Sequence, residues 1–68
     1  MPIGSKAKYV VCYDDLEGKF HMHPTDWRKG ALEVAMAYLN DPRFRNVCIN
    51  MRTFFGGYRC IWTDGTWI

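Results

Sequence analysis

Residues 26–40 read DWRKGALEVAMAYLN, the one long segment of the chain with helical periodicity. At about 100° per residue, Val34, Trp27, Tyr38, Ala31, Ala35, Leu39, Leu32 and Met36 fall in one arc of roughly 200°. Asp26, Lys29, Gly30, Glu33 and Asn40 take the other side. The spacing predicts an amphipathic helix that holds only if a sheet covers its apolar face. Thr25 is placed to cap its start, with a hydroxyl that accepts from an orphan amide, and Asp26 suits the positive end of the helix dipole. Asn40 and then Asp41-Pro42 end it, because a residue before proline is pushed out of the helical region. Arg28 falls near the middle of the apolar arc and is expected to run its stem past the first turn. Gly30, inside the helix, costs about 1 kcal/mol relative to alanine.

Upstream, residues 1–8 contain Pro2, Gly4, Ser5 and two lysines and read as a frayed lead-in, leaving residues 9–68 as one domain. Tyr9 to Tyr13 (YVVCY) is a β-rich apolar run. After the polar loop DDLEG, Lys19 to His23 (KFHMH) alternates apolar and polar, so the two segments predict a hairpin with Gly18 in its turn. In that reading Phe20 and Met22 face the core and His21 and His23 face out. Pro24, which cannot donate to a ladder, is expected to stop the strand.

Downstream, Arg45 to Phe55 (RNVCINMRTFF) and Tyr58 to Thr63 (YRCIWT) flank Gly56-Gly57, a dipeptide that fits a two-residue hairpin turn. That turn pairs Phe55 with Tyr58, Thr53 with Cys60 and Met51 with Trp62. The inner face then holds Val47, Ile49, Met51, Thr53, Phe55, Tyr58, Cys60 and Trp62. Asp64-Gly65 signals a second tight turn, setting Thr63 opposite Thr66 and Trp62 opposite Trp67. The fold expected is α+β: a small antiparallel sheet of four to five strands, in the order β-β-α-β-β with a short fifth strand, and one amphipathic helix packed on one face. The order of the hairpins within the sheet is not legible at this level.

Composition bounds what such a chain does. Sixty-eight residues bury only about 60% of the surface exposed on unfolding, so each of the three Trp, four Tyr and four Phe matters. The net charge of +2 is too small to imply a polyanion partner, but it is uneven: residues 1–41 carry −1 and residues 42–68 carry +3. Three cysteines (Cys12, Cys48, Cys60) without a C-x-x-C pair argue against a secreted disulfide framework and fit a reducing cytoplasm. No apolar run approaches the roughly 20 residues of a membrane span, and residues 1–11 lack a signal-peptide core.

Chemistry-bearing patterns are sparse. His21-x-His23 sets two imidazoles on one strand face, but zinc needs two further ligands, and Cys48 and Cys60 are expected on opposite faces of their hairpin. Neither a metal nor another cofactor is expected. Thr25 is accounted for as a cap and Ser5 lies in the lead-in, so no nucleophile constellation stands out. Asp14, Asp15 and Glu17 read as turn chemistry, and the glycines lack a phosphate-loop pattern. An enzyme is not expected.

Surface remains. The face away from the helix is expected to gather Cys48, Asn50, Arg52, Phe54, Arg59, Ile61 and Thr63. Arginine interleaved with an exposed aromatic suits single-stranded RNA or DNA, although YRCIW and RTFFGGY do not match the spacing of RNA-binding sheet motifs. Exposed Phe, Trp and Arg equally suit a protein-binding patch. The contact residues expected are Arg43, Arg45, Arg52, Phe54, Arg59 and Trp67. The function expected is that of a small stand-alone interaction protein without catalysis, of the kind phages and mobile elements encode to block host nucleic-acid machinery or a defence complex. Its partner is then a protein or nucleoprotein complex. Direct nucleic-acid binding is the alternative, and a homodimer through an exposed edge strand is a further arrangement.

Overall fold

The computed structural model describes residues 6–68; the part of the lead-in at residues 1–5 lies outside the described residues. Six elements follow in order: β1 (Tyr9–Asp15), β2 (Phe20–Thr25), α1 (Arg28–Leu39), β3 (Phe44–Arg52), β4 (Tyr58–Thr63) and β5 (Thr66–Trp67). The strands form one antiparallel sheet in the order β2-β1-β3-β4-β5. The chain is α+β with one helix, as its periodicities predict. β2 and β3 flank β1 and run parallel to each other, so α1 is the crossover that carries the chain past β1.

The helix side of the sheet holds the core. Tyr9, Val11 and Tyr13 of β1, Val47 and Ile49 of β3, and Ile61 and Trp62 of β4 are buried there with Ala31 and Ala35. The two alanines, one turn apart and fully buried, let the helix backbone approach the strands closely. At one corner Tyr38 stacks on Tyr13 at 3.8 Å between ring centroids, and Phe44 sets its edge against both rings. The Tyr13 hydroxyl is pushed up to about 12 by burial and by the neighbouring Tyr38 hydroxyl.

The helix is narrower than its periodicity suggests. It starts at Arg28 with Trp27 as N-cap, and Asn40 is the C-cap as expected. Thr25 does not bond to the first turn; its hydroxyl accepts from the Trp27 amide at 3.4 Å. It also packs over Gly30, where an added Cβ would meet it at 3.3 Å.

The first hairpin forms, but with its faces exchanged. Val11 pairs with His23 and Tyr13 with His21, so the histidines share the helix side with the β1 core residues. Phe20 and Met22 point to the far side and are exposed. Strict alternation cannot say which set faces in; here the His21 ring stacks on Tyr13 at 5.4 Å, and the ring lies 2.9 Å from Asp15 through Nε2. Pro24 does not end β2. The Asp15 amide bonds to the Lys19 carbonyl, and counting in twos from that pair places the Pro24 nitrogen on the outer side of an edge strand, where no donor is needed.

The second hairpin has a different turn. The Gly56 amide donates to the Thr53 carbonyl, and Thr53 donates to the Gly57 carbonyl at 2.7 Å. Phe54 and Phe55 therefore occupy the centre of a four-residue turn, with Gly56 following at φ +85°. A two-residue turn at Gly56-Gly57 would be closed by Phe55 and Tyr58; the closing bonds run instead between Thr53 and Gly57. Arg52 pairs with Tyr58, Met51 with Arg59 and Asn50 with Cys60. A bulge at Ile61 then shifts the register, so that Ile49 meets Trp62. Four residues expected on the helix side leave it: Thr53 and Phe55 join the loop, and Tyr58 and Cys60 move to the far side. Arg59 and Ile61 turn to the helix side. Val47, Ile49, Met51 and Trp62 stay where alternation put them. Asp64 and Gly65 have φ +47° and +99°, and Trp62–Trp67 and Thr63–Thr66 pair as expected.

Gly56→Ala should lower the unfolding free energy by about 1–2 kcal/mol, the cost of an L residue in the left-handed region. Gly57→Ala, whose added Cβ would meet only Thr53 Oγ1 at 3.5 Å, should change it by less than about 0.5 kcal/mol. Urea midpoints of the two variants measure the difference, and equal losses would contradict a turn in which Gly56 alone of the pair has positive φ.

Candidate interaction surface

The type of turn decides what the β3–β4 hairpin presents. Because Phe54 and Phe55 are its central residues rather than strand residues, neither has a facing strand to pack on. They are 95% and 94% exposed and touch each other edge to face at 5.3 Å. Adjacent apolar side chains this bare are unusual on a small monomer, since each forgoes about 1.5–3 kcal/mol of burial.

The base of the tip is anchored. Arg52 and Tyr58, the facing pair that closes the hairpin, both reach the segment before β1. Arg52 Nη1 donates to the Lys6 carbonyl at 2.6 Å and the Tyr58 hydroxyl donates to the Ala7 carbonyl at 2.7 Å. The Arg52 amide also donates to the Lys8 carbonyl, extending the β1–β3 ladder. Lys8, Arg52, Thr53, Phe54 and Gly56 line a shallow depression beside the tip. Residues 6–8 are thus held by the sheet.

The six expected contact residues divide between two ends of the molecule. Arg52, Phe54 and Arg59 lie at the tip end, with Arg59 on the helix side rather than beside Arg52. Trp67 in β5 is 43% exposed, and Arg28 lies over its ring at 4.5 Å, which accounts for an arginine inside the helix's apolar arc. Arg43 and Arg45 lie at the other end of β3, Arg45 roughly 23 Å from Arg52 at about 3.3 Å per residue. Arg43 is spoken for by Asp41, with Nη2 to Oδ2 at 2.8 Å and Nε to both carboxylate oxygens. That pairing holds Asp41 below the usual carboxylate range and raises Arg43. Phe55 was not among the expected contacts; its signal was T-F-F-G read as a turn with glycine last. Trp27 and Ile68 are further exposed apolar residues.

The histidines do not converge with other ligands: among the described residues no group of three or more His, Cys, Asp or Glu is arranged to hold a metal ion. His21 instead joins Asp15, whose carboxylate also accepts the Glu17 and Lys19 amides at 2.9 Å each. The His21 bond first, then these amides, hold Asp15 below its ordinary value. The sheet's edges are β2, blunted by Pro24, and the two-residue β5, both poor templates for strand addition. No helix among the described residues is long and apolar enough to cross a membrane. Comparison of the chain with protein-family models, curated proteins and solved structures finds no match in any of the three.

A carboxylate with a depressed folded-state value stabilises the fold above its unfolded value and loses that contribution as the pH falls through the folded one. Asp15→Asn should therefore reduce the loss of stability between about pH 5 and about pH 2, read as the change in urea midpoint across that range. An undiminished loss would assign acid sensitivity elsewhere, for example to Asp41. Separately, Tyr58→Phe removes one hydrogen bond to the Ala7 carbonyl and should cost about 1 kcal/mol in the same assay; a neutral result would mean that the anchor of the tip is not held by this hydroxyl.

Proposed function

We propose that this protein is a non-enzymatic interaction protein that works by seating the Phe54–Phe55 tip in an apolar pocket of a larger protein. The observation that carries the reading is the near-complete exposure of two adjacent phenylalanines on a hairpin whose base is fixed by Arg52 and Tyr58. Burying both rings on a partner recovers about 3–6 kcal/mol, the scale of an interface's energetic centre. Lys8, Arg52 and Arg59 around the tip suit a pocket with an acidic rim. A protein of this kind acts by occupying a surface, as does an inhibitor carried by a phage or mobile element against host nucleic-acid machinery or a defence complex. Three free cysteines support a reducing compartment such as the cytoplasm.

The test is affinity capture from a host-cell lysate by the tagged chain, with and without nuclease, beside the Phe54→Ser/Phe55→Ser variant. A defined protein should survive nuclease on the wild type and be lost from the variant, whose stability should stay within about 0.5 kcal/mol of wild type. Retention that ignores the tip substitutions would sink the reading. Loss of everything on nuclease, with nucleic acid recovered otherwise, would favour direct single-stranded nucleic-acid binding around Lys8, Arg52 and Phe54.

A further inference from the structure

The far side of the sheet gathers all three cysteines, which lie apart in sequence. Cys12 and Cys48 are facing partners across β1 and β3, and the pairing of Asn50 with Cys60 brings the third to the same face. The Asn50 side chain lies among them, Nδ2 donating to Cys12 Sγ at 3.2 Å and directed at Cys48 Sγ at 3.7 Å. Cys60 donates its thiol to the Trp62 carbonyl at 3.4 Å and also lies within reach of the Cys48 thiol, but it faces Asn50 rather than either sulfur across the ladder. All three are free thiols, with Cys12 buried, Cys48 half-buried and Cys60 exposed.

We propose that Cys12 and Cys48 form a redox-active dithiol that a peroxide closes to a disulfide across β1 and β3. Facing Cα atoms at a hydrogen-bonded antiparallel position lie about 5.5 Å apart, inside the roughly 4.4–6.8 Å that a disulfide spans. Counting in twos from the Arg52–Lys8 bond makes Cys12–Cys48 such a position. Its Cβ atoms must still draw together by about 1 Å, so the bond carries strain and is readily reduced. The environment also selects the attacking sulfur. The Cys48 thiol, and then the Asn50 amide, hold Cys12 down to about 7, against the opposing effect of burial. Cys48, as the donor to that sulfur, is raised.

The chemistry balances without a cofactor. The Cys12 thiolate attacks one peroxide oxygen, the O–O bond breaks, and the departing hydroxide takes a proton to leave as water. Cys12 is then a sulfenic acid. The Cys48 sulfur attacks the Cys12 sulfur, the S–O bond breaks, and the leaving hydroxide takes the Cys48 proton. Two thiols and one hydrogen peroxide become one disulfide and two waters; sulfur is oxidised and peroxide oxygen reduced.

The test treats the full chain with hydrogen peroxide, alkylates what thiol remains, and maps the product by mass spectrometry before and after dithiothreitol. The expected product has lost two hydrogens, keeps one alkylatable thiol at Cys60, joins the Cys12 and Cys48 peptides, and reverts on reduction. Cys60→Ser should form the same bond at an unchanged rate. Asn50→Ala, which removes the amide but no sulfur, should slow closure by about threefold or more, through loss of thiolate. A bond that maps to Cys60, oxidation that stops at sulfinic acid, or three thiols that stay alkylatable at peroxide levels that oxidise free cysteine would each overturn the assignment.

Discussion

Tyr9 to Tyr13 of β1 are buried without interruption and on alternating faces, a condition that makes demands on everything after them. A strand closed off on both faces needs backbone partners along both edges, because buried amides and carbonyls left unpaired are costly. β2 meets the demand on one edge through a short hairpin. The other edge must be met by a later segment, so the chain crosses over β1 through α1 before β3 can pair. The crossover puts the helix's apolar face over Val11 and Tyr13, and Ala31 and Ala35 supply the close approach. β4 and β5 then extend the free edge of β3 by two tight turns.

What could be read in the sequence follows how local each determinant is. The helix, its end at Asn40 and the Asp64-Gly65 turn depend on periodicity and on neighbours within a few residues, and all three were legible. So was the inner set Val47, Ile49 and Met51. Faces fixed by a partner strand were not legible: KFHMH alternates equally well in either sense, and the choice was made by His21 stacking on Tyr13 and bonding to Asp15. The register of the second hairpin failed for a related reason. Gly56-Gly57 resembles a two-residue turn, while the geometry that won centres two phenylalanines between Thr53 and Gly56, with a positive φ at Gly56. The exposed pair at the tip is a product of that choice, so the candidate site was only half visible, through Phe54.

Exposing two aromatic rings costs a domain this small a measurable share of its narrow stability margin. The fold limits another cost. Arg52 and Tyr58 tie the hairpin base to the Lys6 and Ala7 carbonyls, and the two rings brace each other. A tip held in one arrangement before contact has less freedom to lose on binding. Anchored hairpins differ in this from the termini and long loops that usually carry exposed apolar groups.

A single extra residue, Ile61, settles what lies on the two faces of the sheet. Were the Ile49–Trp62 register continued towards the hairpin without the bulge, Cys60 would face Met51 on the helix side and Arg59 would face Arg52 on the far side. The bulge reverses both. It takes Arg59 away from the face where, with Arg52, it would have made a basic platform, and it delivers Cys60 to the face that holds Cys12 and Cys48. It also turns both Ile61 and Trp62 into the core, so the exchange is anchored by burial of the largest side chain in the protein's interior. An electrostatic surface and a sulfur cluster are therefore alternatives of one register, and apolar burial at Ile61 and Trp62 selects the second.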